Sequence, residues 1–564
     1  MPADRPPHAG ADLIVVNGKV ITVDPAFRLA QAVAVKDDRI LAVGSGDEMR
    51  ALADPHTTIV DAGGRAVMPG LIDGHAHMDR EGLKPVFPSL EGCRSIDDIL
   101  QKIEALVKAR GPGEWVVTMP IGDPPYYWDV PECLKEKRFP TRADLDRVAP
   151  DNPVYIRPIW GFWRHVLPLT SVANTAALRA AGIDRNTPPP CPSVTFDKDA
   201  AGEPTGVIYE RTFVPLVELG YFHMMPRFTP ADRVAGLKRA MRLYNAAGTT
   251  SVWEEHGAAQ EMIAAYQAVR NEGAMTARAR LVYSPSWGSI GGEPAAMLPS
   301  WAAWLGRGGL GDEWLGVEGL YAEWGPTLEN QWRAKAAPYT GWAGFFYDCG
   351  QPREKMVELM VAAARNDVRM VSLSIDFLDV YEQVNRIVPI AGKRWVIGHL
   401  NTATRDQIRR IRDLGLVMTT HTNRYVYKEG HLTRQEIGAG DPRLISPLKS
   451  IKEAGIHIGL ATDNVPVSLF YPVWQAVTRM NRYTGDAIQP DEALSREDAL
   501  RAATIEGAHL TFEEDEKGSL EAGKLADMVV LSADPLTCPA DDIKDIVAET
   551  TVVGGRIVYQ RGTA

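Results

Sequence analysis

Two hydrophobic periods alternate along the chain. At the N-terminal end the apolar positions form short β-branched runs at 12–18, 19–23, 32–35 and 39–43. The first run stops at Asn17-Gly18, a pair that predicts a hairpin turn. The C-terminal end has the same texture at 527–531, 551–553 and 556–559. There Gly554-Gly555 predicts a second hairpin. These ends predict either one small β-sandwich built from residues 1–68 plus 516–564, or two separate edge hairpins. In the long middle, helical periodicity recurs at 96–108, 230–247, 260–271, 353–366, 404–414 and 497–509. Short apolar strands fall between these segments at 249–253, 280–283, 369–373, 394–397, 415–419 and 457–460. Repeated strand–helix units predict an α/β chain with a parallel sheet. Their number favours a closed (β/α)₈ TIM-like barrel over residues 69–515. Residues 111–200 break the rhythm with prolines and aromatics, and predict a lid-like insertion over the barrel mouth. No internal repeat or low-complexity tract interrupts this picture.

Composition narrows the function. A length of 564 residues suggests roughly four domains at ~150 residues each. A barrel with insertions uses length faster, so two or three are expected. The net formal charge is −11, which argues against a nucleic-acid surface. No apolar stretch approaches the ~18 residues of a membrane span. The start MPADRPPHAGADL lacks a basic segment followed by an apolar one, so no signal peptide is expected. Five scattered cysteines, without a Cys-x-x-Cys pair, favour neither a disulfide framework nor a cysteine zinc site. The expected compartment is the cytoplasm.

Three strand ends carry candidate chemistry. His75 and His77 stand at i and i+2 after an apolar strand, a spacing that puts both side chains on one face. His399 ends the run Arg394-Trp-Val-Ile-Gly-His399, and Asp463 follows Ile458-Gly-Leu-Ala-Thr. Taken singly, His399 also suits a core histidine and Asp463 a helix N-cap. In a barrel, however, the C-terminal strand ends converge on one site. Histidine and carboxylate together suit a divalent metal with an open position for water.

The chain resembles the metal-dependent amidohydrolase superfamily, in the family 3 branch of N-substituted formamide deformylase-like enzymes. The resemblance rests on Val67-Met-Pro-Gly-Leu-Ile-Asp-Gly-His-Ala-His77, Pro140-Thr-Arg-Ala-Asp-Leu-Asp146, Asn174-Thr-Ala-Ala-Leu178 and Gly202-Glu-Pro-Thr-Gly206. It continues through Gly248-Thr-Thr-Ser251, His399, Thr462-Asp463 and Gly518-Ser-Leu-Glu-Ala-Gly-Lys-Leu-Ala-Asp527. It implies a (β/α)₈ barrel with a composite β-sandwich. It also implies His75 and His77 as first-strand metal ligands, His399 as a sixth-strand ligand, and Asp463 as eighth-strand ligand and proton shuttle. A homodimer is implied at family level. The branch usually places a carboxylated Lys on the fourth strand, but residues 317–325 hold none. Where it usually has a fifth-strand His, this chain has Ser372. One divalent ion per chain therefore suits the sequence better than two. Zinc is the first choice, with iron and manganese as alternatives. Glu254, His256 and Glu323 are candidate substitute ligands, and each also suits a solvent-facing or hydrogen-bonding role. Glu210 suits a ligand or an ordinary surface carboxylate.

Such a site predicts hydrolysis of an amide-type C–N bond, with water activated by the ion and Asp463 as general base, then acid. His421, after the seventh strand, is a second catalytic candidate, with His399 or His421 assisting the developing oxyanion. Tyr126, Trp128, Trp163, Trp253 and Trp324 predict a pocket for a small, planar or apolar substrate; packing of the insertion on the rim is the competing role. Arg157 and Arg164 lie in the region where a substrate carboxylate would be held. A non-hydrolytic isomerase, lyase or decarboxylase on the same scaffold is the alternative function.

Overall fold

The computed structural model describes residues 10–160, 167–212, 214–307, 309–346 and 348–563. Eight parallel strands follow one another around a barrel: Leu71–Asp73, Thr249–Ala258, Arg278–Tyr283, Leu315–Trp324, Met370–Ser372, Val396–Ile397, Val417–Thr420 and Ile458–Leu460. We number them one to eight. Each pairs in parallel register with the next. The eighth closes on the first through Gly74 N–H to Leu460 O at 3.0 Å and Asp463 N–H to His75 O at 2.9 Å. The strands are almost wholly buried because helices cover their outer faces. Inside, Trp253, Val282, Val371, Val396 and Val417 fill the barrel.

The expected helix 497–509 is two helices, Arg496–Ala502 and Ile505–Leu510. The break has a use: the Ala503 carbonyl accepts Ile72 N–H at 2.9 Å. A helix continuing through that point would have kept the carbonyl for itself. Among the described residues, no helix is long and apolar enough to cross a membrane.

Both ends of the chain contribute to one six-stranded sheet. Its order is Arg556–Gln560, Ala548–Val553, Met528–Leu531, Ala66–Pro69, Lys19–Ile21 and Leu29–Ala30. A four-stranded sheet of Arg39–Gly44, Ala32–Lys36, Leu13–Val16 and Thr58–Asp61 shares a core with it, where Val15 and Val33 meet Val67, Met528 and Val530. The Gly554-Gly555 turn joins an antiparallel pair. The hairpin expected at Asn17-Gly18 does not form. Leu13–Val16 and Lys19–Ile21 lie in different sheets, and Gly18 N–H bonds Gln31 O at 3.0 Å. Asn17 takes φ 55°, a local turn that carries the chain from one sheet to the other instead of folding it back.

Between the first and second barrel strands lies an added layer with its own five-stranded sheet, from Val116–Thr118 to Pro204–Glu210. Helix Ile96–Lys108 packs on this sheet, burying Ile99 and Ile103 against Val116, Leu145 and Val154. The layer is thus wider than residues 111–200. Periodicity marks 96–108 as a helix but does not say which sheet it covers.

Candidate metal centre

The first barrel strand ends in a network that fixes His75. Buried Asp73 accepts N–H bonds from His75 (3.1 Å) and Thr462 (3.0 Å), joining the ends of strands one and eight. His399 and Asp463, at the ends of strands six and eight, take φ of 52° and 51°. Left-handed backbone costs a non-glycine residue roughly 1–2 kcal/mol. Here it turns both side chains off their strands toward the barrel axis.

Four donors converge as a result. His75 Nε2 lies 3.1 Å from His77 Nε2 and 3.4 Å from His399 Nε2. Asp463 Oδ1 lies 3.4 Å from His77 Nε2 and 3.8 Å from His75 Nε2. Donors bound tetrahedrally at ~2.0–2.1 Å stand about 3.3 Å apart, so the cluster has the dimensions of a single metal cradle. Its chemistry agrees. His75 Nδ1 faces Glu255 Oε2 at 2.5 Å. With the ring proton held there, Nε2 turns a lone pair inward. Imidazole lone pairs facing one another in a buried site repel unless a cation lies between them.

Electrostatics favour the coordinating form of three donors, whereas at His75 burial is outweighed by the neighbouring Glu255, Asp463 and Asp73 carboxylates, which raise the imidazole. Burial, with Arg80 and His75, pushes His77 well below the usual imidazole range. Burial, with His421 and His75, does the same for His399. Burial alone would raise the Asp463 carboxyl, but His421, Arg80 and His75 hold it at about 2. Arg80 touches it directly, with Nη2 3.1 Å from Asp463 Oδ1. His421 Nδ1 lies 3.6 Å from Asp463 Oδ2. Burial pushes this imidazole down to about 3, against the pull of Asp463. Both His421 ring nitrogens are buried without a hydrogen-bond partner among the described residues.

The other sequence candidates divide. His256 is buried beside the cluster and forms a possible ligand trio with His75 and His77. Its ring also stacks on Phe345 with centroids 3.9 Å apart. Glu254 turns outward, accepting Met78 N–H at 2.9 Å and Tyr266 O–H at 2.6 Å. Its Oε2 lies 3.8 Å from His77 Nδ1, and His77, Asp79 and Glu254 form another possible ligand trio. Ser372 is engaged with Tyr381 O–H (3.0 Å) and Val396 O (3.3 Å). Glu210 is neither ligand nor surface group. It is buried in the added layer and accepts Leu216 and Val217 N–H, because a short helix starts there with free donors. Glu255 is the residue that sequence reading missed. Thr419 Oγ1 donates to both its oxygens, at 2.6 and 2.7 Å. Strand alternation from inward-facing Trp253 would have pointed to it.

A cavity of about 510 Å³ opens beside the cluster, between the ends of strands four to seven. His256, His399, Glu323, Trp324 and Tyr425 line it. Trp324 stacks on Phe377 at 4.1 Å. Trp253 does not reach this cavity: it is buried inside the barrel, beneath Arg369. Its place on the strand points it to the axis below the mouth. Tyr126 and Trp128 stack on each other at 5.8 Å, and Arg482 covers Trp128 at 3.9 Å. Neither lines the cavity. Arg157 pairs with Glu218 at 3.1 Å inside the added layer. Trp163 and Arg164 lie outside the described residues.

Comparison with known proteins places this geometry. The model of the amidohydrolase family matches residues 58–559. N-substituted formamide deformylase from Arthrobacter pascens is 28% identical, with 98% of each chain covered. Protein LONG AFTER FAR-RED 3 from Arabidopsis thaliana is 23% identical over 98% of this chain and 93% of its own. Among solved structures, a metal-dependent hydrolase of unassigned function from Pyrococcus horikoshii superposes with a TM-score of 0.68 at 21% identity, covering 94% of this chain and 99% of that one. An adenosine deaminase from Xanthomonas campestris, with bound zinc, reaches 0.52 at 15% identity, covering 98% and 94%.

Proposed function

The chain belongs to the amidohydrolase family, and from that premise we propose that it hydrolyses an amide-type C–N bond of a small aromatic or apolar molecule at the His75, His77, His399 and Asp463 cluster. The observation that carries this reading is the approach of three imidazole Nε2 atoms and one carboxylate oxygen to within 3.1–3.8 Å in neighbouring pairs. A divalent cation bound there, which we take to be one zinc per chain, would polarise water and the scissile carbonyl. The Asp463 carboxylate, ionised throughout the physiological range, accepts the proton of the attacking water. It then passes that proton to the leaving nitrogen. Arg80 keeps its Oδ1 in place. Neutral His421 donates to the carbonyl oxygen as charge develops on it. Trp324 offers an aromatic wall to the substrate.

A single ion is favoured by the fourth and fifth strands. Residues 317–325 contain no Lys, and Ser372 is committed to Tyr381 and Val396. The test combines metal analysis with a panel of N-substituted formamides and N-acyl arylamines, chosen because a relative is a formamide deformylase. About one equivalent of metal is expected, lost in His75→Ala, with activity lost on chelation and restored by zinc. Active protein that contains no metal would overturn the reading; two equivalents would show that His256, Glu254 or Glu323 completes a second site.

A further inference from the structure

Glu323 ends the fourth barrel strand and opens on the cavity beside the metal centre. It belongs to none of the clusters with metal-binding spacing among the described residues. It forms no ion pair among them either. Its hydrogen-bond partner is the buried Cys349 thiol, at 3.6 Å, and a thiol is a weak donor. Burial pushes its carboxyl up to about 6, although Cys349 and Arg333 pull the other way. Arg424, the cation that lines the same cavity, is already held by Glu429 at 3.0 Å. Tyr321, Trp324 and Tyr425 line the same cavity. A carboxylate with no cationic partner, in a cavity lined by aromatic rings, favours a bound cation.

We propose that Glu323 recognises a cationic nitrogen on the substrate, so that the molecule carries an ammonium group at the end remote from the scissile bond. This deepens the hydrolase reading and rests on it for which end reacts. In this arrangement the reacting carbonyl lies toward His399 and the ammonium toward strand four. The preference belongs to Glu323, because no other carboxylate lines the cavity among the described residues.

The experiment measures binding, not turnover. The full, zinc-loaded chain is titrated calorimetrically with benzylammonium and with benzyl alcohol, which share a ring and differ in charge. The ammonium should bind about tenfold more tightly at neutral pH. Glu323→Gln should abolish that preference and leave the alcohol's affinity unchanged. Glu323→Asp should keep part of it. Metal content and circular dichroism confirm that each variant is folded. Equal affinities in the wild type, no detectable ammonium binding, or a preference that survives Glu323→Gln would each overturn the proposal. The two readings fail separately. A preference without turnover of any amide leaves the cation site and removes the hydrolase assignment. Turnover without a preference does the reverse.

Discussion

Glu255, which has metal-binding spacing with His75 and His399, shows how much of the centre depends on a residue outside the four proposed donors. Its carboxylate orients His75 and is itself held by Thr419. Gly398 leaves room for it, since a Cβ there would overlap both Glu255 oxygens. Partners of this kind fix the ring and raise its basicity, and their loss typically weakens metal binding 10–100-fold. Glu255→Gln should therefore lower zinc affinity by about that factor in competition with a chelator, while the fold persists. Unchanged affinity would show that His75 is oriented by its packing alone. The His-x-His pair, His399 and Asp463 were legible at this scale because strand ends of a barrel face one site. The left-handed backbone that aims His399 and Asp463 inward was not legible, since neither residue type announces it.

At the scale of elements, the helix Met78–Leu83 begins directly after His77 and packs across Pro230–Ala246. The two touch backbone to backbone. A Cβ on Gly82 would overlap the Gly236 carbonyl, which cannot swing aside as a side chain would. Gly82→Ala should cost about 1–3 kcal/mol or more by overpacking. It should also reduce bound metal, because a displaced helix carries His77 with it. Denaturant unfolding and metal analysis together check this; an unchanged midpoint with full metal would refute it. The helices at 230–247, 260–271 and 353–366 were legible from periodicity. Their partners were not, because an apolar stripe says that a face is buried without saying against what. The same ambiguity hid the attachment of Ile96–Lys108 to the added layer.

Across the whole molecule, Glu513 joins the barrel to the segment leading to the C-terminal strands. It is 8% exposed and pairs with Arg280 of strand three at 2.5 Å and with Lys517 at 2.8 Å. Burial alone would raise its carboxyl, but Lys517 and Arg280 lower it to about 2. The folded value is depressed, so the stabilisation is complete above the unfolded carboxyl's ordinary range. It is lost as pH falls from about 4.5 toward 2, and amounts to about 3 kcal/mol. The unfolding free energy of the wild type should fall toward that of Glu513→Gln over this interval. Curves that stay parallel would show that the pair contributes nothing to acid stability.

The sequence by itself favoured the barrel, since six short apolar strands alternating with helical segments point to a parallel sheet with enough units to close. It also offered the four donors at strand ends, and the mixing of both chain ends in one sheet as one of two readings, because the apolar runs at either end share the same short-strand texture. Only the tertiary structure decided which sheet each strand joined, as at Asn17-Gly18, and which carboxylate of Glu254-Glu255 faced His75. It also separated Trp324, on the cavity wall, from Trp253, in the barrel interior. Local pattern records how often a face is buried. Contacts between residues hundreds of positions apart depend on the closed shape, which no short window of sequence contains.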